Sequence, residues 1–132
     1  MELGDKQKVL KMKTSFRKYT KKEYMDMIGK AVERATNGRC IIIFFGSIVG
    51  ERFSRTSDID VAVYCGRKLS SYEILKIKEE INKLPILREV DLVDVGSITD
   101  IKFIESIMKG KIWKSMPELT KNLKKHLKSL EK

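Results

Sequence analysis

The chain has few of the residues that form zinc sites and disulfide scaffolds, and it lacks the long apolar runs that span membranes. It has one histidine and two cysteines in 132 residues, and Cys40 and Cys65 do not have the spacing of metal ligands. No apolar run approaches the length of a membrane-spanning helix, and no apolar segment typical of a signal peptide stands near Met1. These absences argue against zinc chemistry, a membrane protein and export. They predict a cytoplasmic protein whose two thiols are reduced and buried.

Acidic residues are also in deficit, because 28 lysines and arginines stand against 18 aspartates and glutamates, a formal charge of +10. A positive field of this kind attracts nucleic acid, an acidic protein or a polyphosphate substrate. No nucleic-acid recognition motif accompanies the charge, so nucleic-acid binding stays an alternative. The glycine-rich Walker loop is absent as well, which argues against a P-loop NTPase. The lone His126 lies among lysines and is predicted to be a solvated helix residue rather than a ligand or base.

The length and the apolar content of 42% fit one globular domain. Residues 1–19 are rich in lysine and are predicted to form a basic N-terminal extension, and residues 20–132 the domain itself. Capping-box spacings predict helices that begin after Thr20, Ser70 and Ser115, and Ser97 or Thr99 can cap another. The last helix is basic and amphipathic, and packing on the domain or on a partner is preferred to a membrane surface.

The stretch around which the chain is organised is the apolar run 41–45, which predicts a strand buried on both faces. It ends at Gly46-Ser47, where the backbone can turn tightly and present N–H groups to an anion. Ten residues further on, Asp58 and Asp60 are separated by one apolar residue, so a strand would place both carboxylates on one face. Two like charges at this distance call for a cation, and Mg²⁺ prefers such oxygen ligands.

A third acid, Asp91, lies in another alternating segment and reaches the same site if its strand pairs beside Asp60. The helix between these strands favours parallel pairing, although a mixed sheet is equally allowed. Glu89 shares the face of Asp91, whereas Asp94 does not and is predicted to be exposed or to form a turn. Three carboxylates with two Mg²⁺ ions are typical of in-line phosphoryl or nucleotidyl transfer.

The Gly46-Ser47 pair followed by Asp58-Ile59-Asp60 resembles the DNA polymerase β-like nucleotidyltransferase superfamily. The resemblance extends roughly from Thr20 to Trp113, and the short chain is similar to the minimal nucleotidyltransferases, the MntA-type antitoxin partners of HEPN-domain toxins. It implies an α/β (α+β) fold with a small mixed sheet and flanking helices.

The resemblance also implies roles for individual residues. Asp58 and Asp60 would bind both metals, and Asp91 would complete the catalytic metal site and help to deprotonate an acceptor hydroxyl. Gly46 and Ser47 would hold the triphosphate. Ser57, which can hydrogen-bond locally and orient the carboxylates, is grouped with them as a nucleotide-binding candidate.

The activity implied is transfer of AMP from ATP to a tyrosine of a HEPN toxin, in a type VII toxin–antitoxin pair. A non-catalytic antitoxin of the same fold is the alternative, because the chain departs from the family pattern. Where members commonly have Ala-Arg-Gly, this chain has Val49-Gly50-Glu51, so the arginine is missing. Arg52 or Arg55 is a candidate to replace it from the same loop.

Overall fold

The computed structural model describes residues 19–131. Residues 1–18, almost all of the predicted basic extension, lie outside the described residues. The elements that follow are, in chain order, α1 (Lys21–Thr36), β1 (Ile41–Phe45), β2 (Ile59–Tyr64), α2 (Ser71–Asn82), β3 (Val90–Asp94), α3 (Ile101–Met108), β4 (Lys111–Lys114) and α4 (Pro117–Leu130). Short 3-10 turns over Gly46–Val49 and Val95–Ser97 follow β1 and β3.

The four strands form one sheet in the order β3-β2-β1-β4. Strand β1 is antiparallel to both β2 and β4, whereas β2 is parallel to β3. The parallel pair follows from the helix between β2 and β3, since a helical crossover returns the chain to the same end of the sheet. The predicted mixed sheet with flanking helices is confirmed.

Both faces of the sheet are covered, which explains why β1 is apolar throughout. On one face, α1 and α2 pack against side chains that include Ile42, Phe44, Val61 and Val63. On the other face, α3 and α4 pack against the alternate residues Ile41, Ile43, Ala62 and Tyr64. Ile42, Ile43 and Phe44 have no exposed surface.

Local hydrogen bonds set the helix ends, and two of the predicted caps are confirmed. Capping boxes begin α1 at Thr20 and α2 at Ser70. The predicted caps of α3 and α4 are wrong. Asp100, not Ser97 or Thr99, caps α3 by accepting from two backbone N–H groups, and Met116 precedes α4 without a side-chain cap.

The prediction of two reduced thiols is wrong, because Cys40 and Cys65 form a disulfide. The antiparallel register explains the contact: Ile41 pairs with Tyr64, so the next residues outward, Cys40 and Cys65, face each other with Cα atoms 4.3 Å apart. The bond joins β1 and β2 at the end of the sheet opposite to Gly46.

The C-terminal helix α4 packs on the domain, as preferred from the sequence. Its Leu123 is buried against the sheet, and the Tyr64 hydroxyl donates a hydrogen bond to Asn122 Oδ1. His126 is half-buried, stacks on the Tyr64 ring and has Nε2 3.3 Å from the Ile98 carbonyl oxygen. The prediction of a solvated His126 is therefore wrong.

Trp113 is a packing residue between β4 and α1. Its ring lies directly over Gly29, and its Nε1–H donates to Asp26 Oδ1 at 3.0 Å. Over residues 19–131, every helix is too short or too polar to cross a membrane.

Candidate active site

The three predicted carboxylates meet at one end of the sheet. Asp60 lies opposite Phe45 of the antiparallel strand β1 and opposite Asp91 of the parallel strand β3. Asp60 is therefore flanked on one side by the end of β1, where Gly46 follows, and on the other by Asp91. The pairing that would bring Asp91 beside the Asp58–Asp60 segment is confirmed.

The carboxylates of Asp60 and Asp91 lie on the sheet face that α3 and α4 cover further along. Asp60 shares this face with Ala62 and Tyr64, and Asp91 shares it with Val93, because side chains alternate along a strand. Asp58 precedes β2 and is exposed, as is Asp91, whereas Asp60 is half-buried. The site is thus open to solvent at the edge of a packed layer, where a soluble ligand can enter.

The site brings together carboxylates of like charge, and no ion pair within residues 19–131 neutralises them. Burial raises the pKa of the Asp60 carboxyl above its ordinary value, and the charges of Asp91 and then Asp58 raise it further. Within residues 19–131, the ion pairs all lie elsewhere and none involves these three acids. Residues 19–131 therefore supply no ion-pair partner for the repelling carboxylates.

Gly46 makes room for the Asp60 carboxylate. Its φ of +75° suits glycine, and a Cβ added there would lie 2.4 Å from Asp60 Oδ2. The next residue, Ser47, lies inside the 3-10 turn rather than capping a helix, and its hydroxyl donates to the Asp58 carbonyl oxygen at 3.4 Å. The Gly-Ser pair therefore lies against the Asp60 carboxylate on one side and the Asp58 backbone on the other.

The loop that leads to Asp58 has its own hydrogen bonds. Ser57 Oγ accepts from the Ser54 N–H at 3.0 Å and lies 3.1 Å from Ser54 Oγ. The predicted local bonding of Ser57 is confirmed, and its contact with a nucleotide stays a prediction. The side chains of Arg52 and Arg55 are exposed in this loop.

Sequence analysis missed Arg88, which lies two residues before β3. Its Nη1 donates to the carbonyl oxygens of Ser54 and Ser57 at 2.5 and 2.8 Å. No local pattern marks this arginine, because its partners lie 34 and 31 positions away in the sequence.

Two further acids near the site, Asp94 and Glu89, make contacts within the fold. Asp94 is buried, and its carboxylate accepts from the N–H groups of Leu69 and Gly96. It is a turn former, as predicted, but not an exposed one. Glu89 is exposed and contributes its carbonyl oxygen, which accepts from the Ile59 N–H.

The donor set fits Mg²⁺ that arrives with a phosphate ligand. Carboxylate oxygens are its preferred protein ligands, and the raised pKa of Asp60 marks a place where a cation is favoured. In the part of the chain that the structure describes, no three His, Cys, Asp or Glu side chains are grouped so that they could hold a metal ion by themselves. Mg²⁺ usually takes one or two protein carboxylates and completes its shell with water and substrate phosphates, so a metal here would need the nucleotide as a further ligand.

The mixed sheet carries a Gly-Ser turn after β1 and acids at β2 and β3, which is the arrangement that the resemblance to nucleotidyltransferases implies. The family model described as "Polymerase beta, Nucleotidyltransferase" matches residues 28–117. The chain belongs to this nucleotidyltransferase family.

Among solved structures, the chain is similar to one from the crystal structure of a mutant MntA–HpeT toxin–antitoxin. The TM-score is 0.59 at 20% identity, over 79% of this chain and 86% of the other. At this identity the likeness supports the fold alone. No curated protein matches the chain.

Proposed function

We propose that this protein is a Mg²⁺-dependent nucleotidyltransferase that transfers AMP from ATP to a hydroxyl group of a protein partner. The observation that carries the proposal is the position of Asp60, flanked by Asp58 and Asp91 with a raised pKa and no ion-pair partner within residues 19–131. A phosphate-bound divalent cation is the ligand that this arrangement favours.

The proposed acceptor is a tyrosine of a HEPN-domain toxin, with this protein as the antitoxin. Support comes from the family membership together with the likeness in fold to a chain of a toxin–antitoxin crystal structure.

Each site residue has a role in this proposal. Asp58 and Asp60 would hold the metal, and the Gly46-Ser47 turn would bind the triphosphate through backbone N–H groups. Asp91 would take part in removing the proton of the acceptor hydroxyl, whose oxygen then attacks the α-phosphorus. The bond from that phosphorus to the β-phosphate oxygen breaks, and pyrophosphate leaves. Bound Mg²⁺ would supply neutralisation of the charge that develops on the phosphate oxygens.

The test is incubation with Mg²⁺ and α-labelled ATP, with and without a candidate HEPN-domain partner. We expect label on the partner, and we expect its loss in Asp58→Asn and Asp60→Asn variants that remain folded. Transfer that persists in both variants would contradict the proposal. Unlabelled partner that is nevertheless bound and neutralised would identify the non-catalytic antitoxin.

That alternative has one observation in its favour. Gly50 and Glu51 stand where the family pattern has arginine and glycine, so a cation for the phosphates is missing there. Arg52→Ala and Arg55→Ala test whether the loop replaces it. If neither variant loses nucleotide affinity, these arginines do not substitute.

A further inference from the structure

Arg88 connects the segment before β3 to the loop that carries Asp58. Its guanidinium donates from Nη1 to the carbonyl oxygens of Ser54 and Ser57, at 2.5 and 2.8 Å. The same group lies over the Phe53 ring, 4.1 Å from its centroid, and 5.1 Å from the centroid of the Tyr24 ring. Four residues from two segments, the loop before β2 and helix α1, thus converge on one side chain.

These contacts restrain a loop with little regular structure of its own. No helix or strand is formed between Gly50 and Asp58. A guanidinium that is half-buried and charged makes stronger hydrogen bonds to carbonyl oxygens than a neutral donor does. Its planar face can pack on the rings of Phe53 and Tyr24 while its edge donates, which a lysine ammonium does not reproduce.

The restraint reaches the carboxylate through the backbone. The carbonyl of Ser57 belongs to the peptide bond that enters Asp58, and Arg88 holds that oxygen. The carbonyl of Asp58 belongs to the peptide bond that leaves it, and Ser47 Oγ donates to that oxygen. Both peptide planes around Asp58 are therefore held from outside the loop, one by Arg88 and one by the Gly-Ser turn.

Arg88 holds the Ser57 carbonyl from the other side of the sheet. Tyr24 and Phe53 belong to the apolar layer beneath α1 and α2, whereas Asp60 lies on the face of α3 and α4. The guanidinium therefore acts through the Ser57 carbonyl and has no direct contact with the carboxylates.

We propose that Arg88 is a positioning residue, which fixes the backbone of Asp58 so that its carboxylate and that of Asp60 stand together for metal and nucleotide. This inference rests on the proposed function. It assigns to a residue outside the site motif the task of ordering that motif before any ligand arrives.

The test uses Arg88→Lys and Arg88→Met in the full chain, with Arg67→Met as a matched control. Arg67 is another hydrogen-bonded arginine, paired with the Glu73 carboxylate, but it follows Cys65 at the opposite end of the sheet. Two properties are measured: hydrogen exchange of peptides that cover residues 51–58, and the affinity for Mn²⁺ with a non-hydrolysable ATP analogue, by titration calorimetry.

We expect faster exchange over residues 51–58 in both Arg88 variants and a Mn²⁺ affinity weaker by roughly tenfold or more, the usual effect of losing a residue that orients a metal ligand. Lysine keeps the charge and the aliphatic stem, so its effect should be the smaller. Arg67→Met should leave both properties as in the wild type. If Arg88→Met does not fold, Arg88→Lys alone decides.

Unchanged exchange over residues 51–58 in Arg88→Lys and Arg88→Met would overturn the inference, and so would faster exchange with unchanged Mn²⁺ affinity. Neither result would contradict the proposed function, because the wild-type protein would still bind Mn²⁺ with the analogue. Wild-type protein that binds no Mn²⁺ with the analogue would overturn the proposed function, and the positioning role with it.

Discussion

Asp60 and Asp91 lie opposite each other on adjacent parallel strands, and the second charge helps to raise the pKa of the first. The sheet thus forces together two groups that repel when both are ionised. Such an arrangement opposes folding of the ligand-free protein and is relieved by a cation. The cost to stability and the capacity to bind a metal are two results of the same contact.

Replacement of Asp60 by asparagine should stabilise the ligand-free protein. The pKa of Asp60 in the folded state is raised above its ordinary value of 3.8, so the folded protein binds this proton more tightly than the unfolded chain does. The stability that the proton confers is complete below pH 3.8 and is lost as the pH rises through the raised pKa. We expect Asp60→Asn to unfold at a higher temperature than the wild type at pH 7 in EDTA, with no gain at pH 3.

The same variant should lose transfer activity by about a thousandfold or more, since a metal contributes several kcal/mol to such reactions. Glu89→Gln, which removes an exposed acid from the residue before β3, is the matched control and should change neither property. A wild type that is the more stable of the two at pH 7 in EDTA would refute the repulsion argument.

Gly46 should not tolerate a side chain. A Cβ there meets Asp60 Oδ2 at 2.4 Å, and the φ of +75° adds about 1 kcal/mol of backbone strain for alanine. Gly46→Ala should lower the free energy of unfolding by roughly 1–3 kcal/mol and displace the Asp60 carboxylate. Gly50→Ala is the control, because its Cβ would have Ser47 O as its nearest neighbour at 3.9 Å. Urea unfolding of both variants makes the comparison, and equal losses would contradict the steric argument.

The disulfide should contribute to stability through the loop that it closes. Cys40 and Cys65 are 25 positions apart, and a loop of this length corresponds to about 3.5 kcal/mol in the chain-entropy model. Reduction should lower the urea midpoint of the wild type, whereas a Cys40→Ala/Cys65→Ala double variant should not respond to reductant. A wild-type midpoint that is the same with and without reductant would show that the bond adds nothing to stability.

The docking of α4 should depend on Leu123, which is 1% exposed against the sheet. Leu123→Ala should reduce the free energy of unfolding by about 2–4 kcal/mol, because it leaves a cavity between α4 and the strands. Lys124→Ala, one residue further on the exposed side, should change it by less than about 0.5 kcal/mol. Denaturant titration checks both values. A small loss in Leu123→Ala would mean that α4 is not an integral layer of the fold.

Much of the fold and most of the site motif could be predicted because their signals are local. Thr20 and Ser70 make their caps with residues three positions away, and the apolar stretch 41–45 needs no distant partner to be recognised as a buried strand. The closeness of Asp58 and Asp60 could be predicted from strand alternation, although Asp58 itself lies one residue before β2.

Apart from the caps of α3 and α4, the residues that sequence analysis placed wrongly or missed have partners far along the chain. His126 stacks on Tyr64, Asp94 accepts from Leu69, and Arg88 donates to Ser54, all across gaps of 25 positions or more. The disulfide has the same origin, because only the register of β1 on β2 brings Cys40 to Cys65.

The sequence by itself determined the elements and which faces of them are polar, since periodicity and capping depend on residues within a few positions of each other. Tertiary structure decided that Asp91 lies beside Asp60, that Cys40 meets Cys65 and that Arg88 holds the Asp58 loop. Each of these contacts requires strand pairing or packing between distant segments, and pairing is set by the whole core rather than by any one stretch.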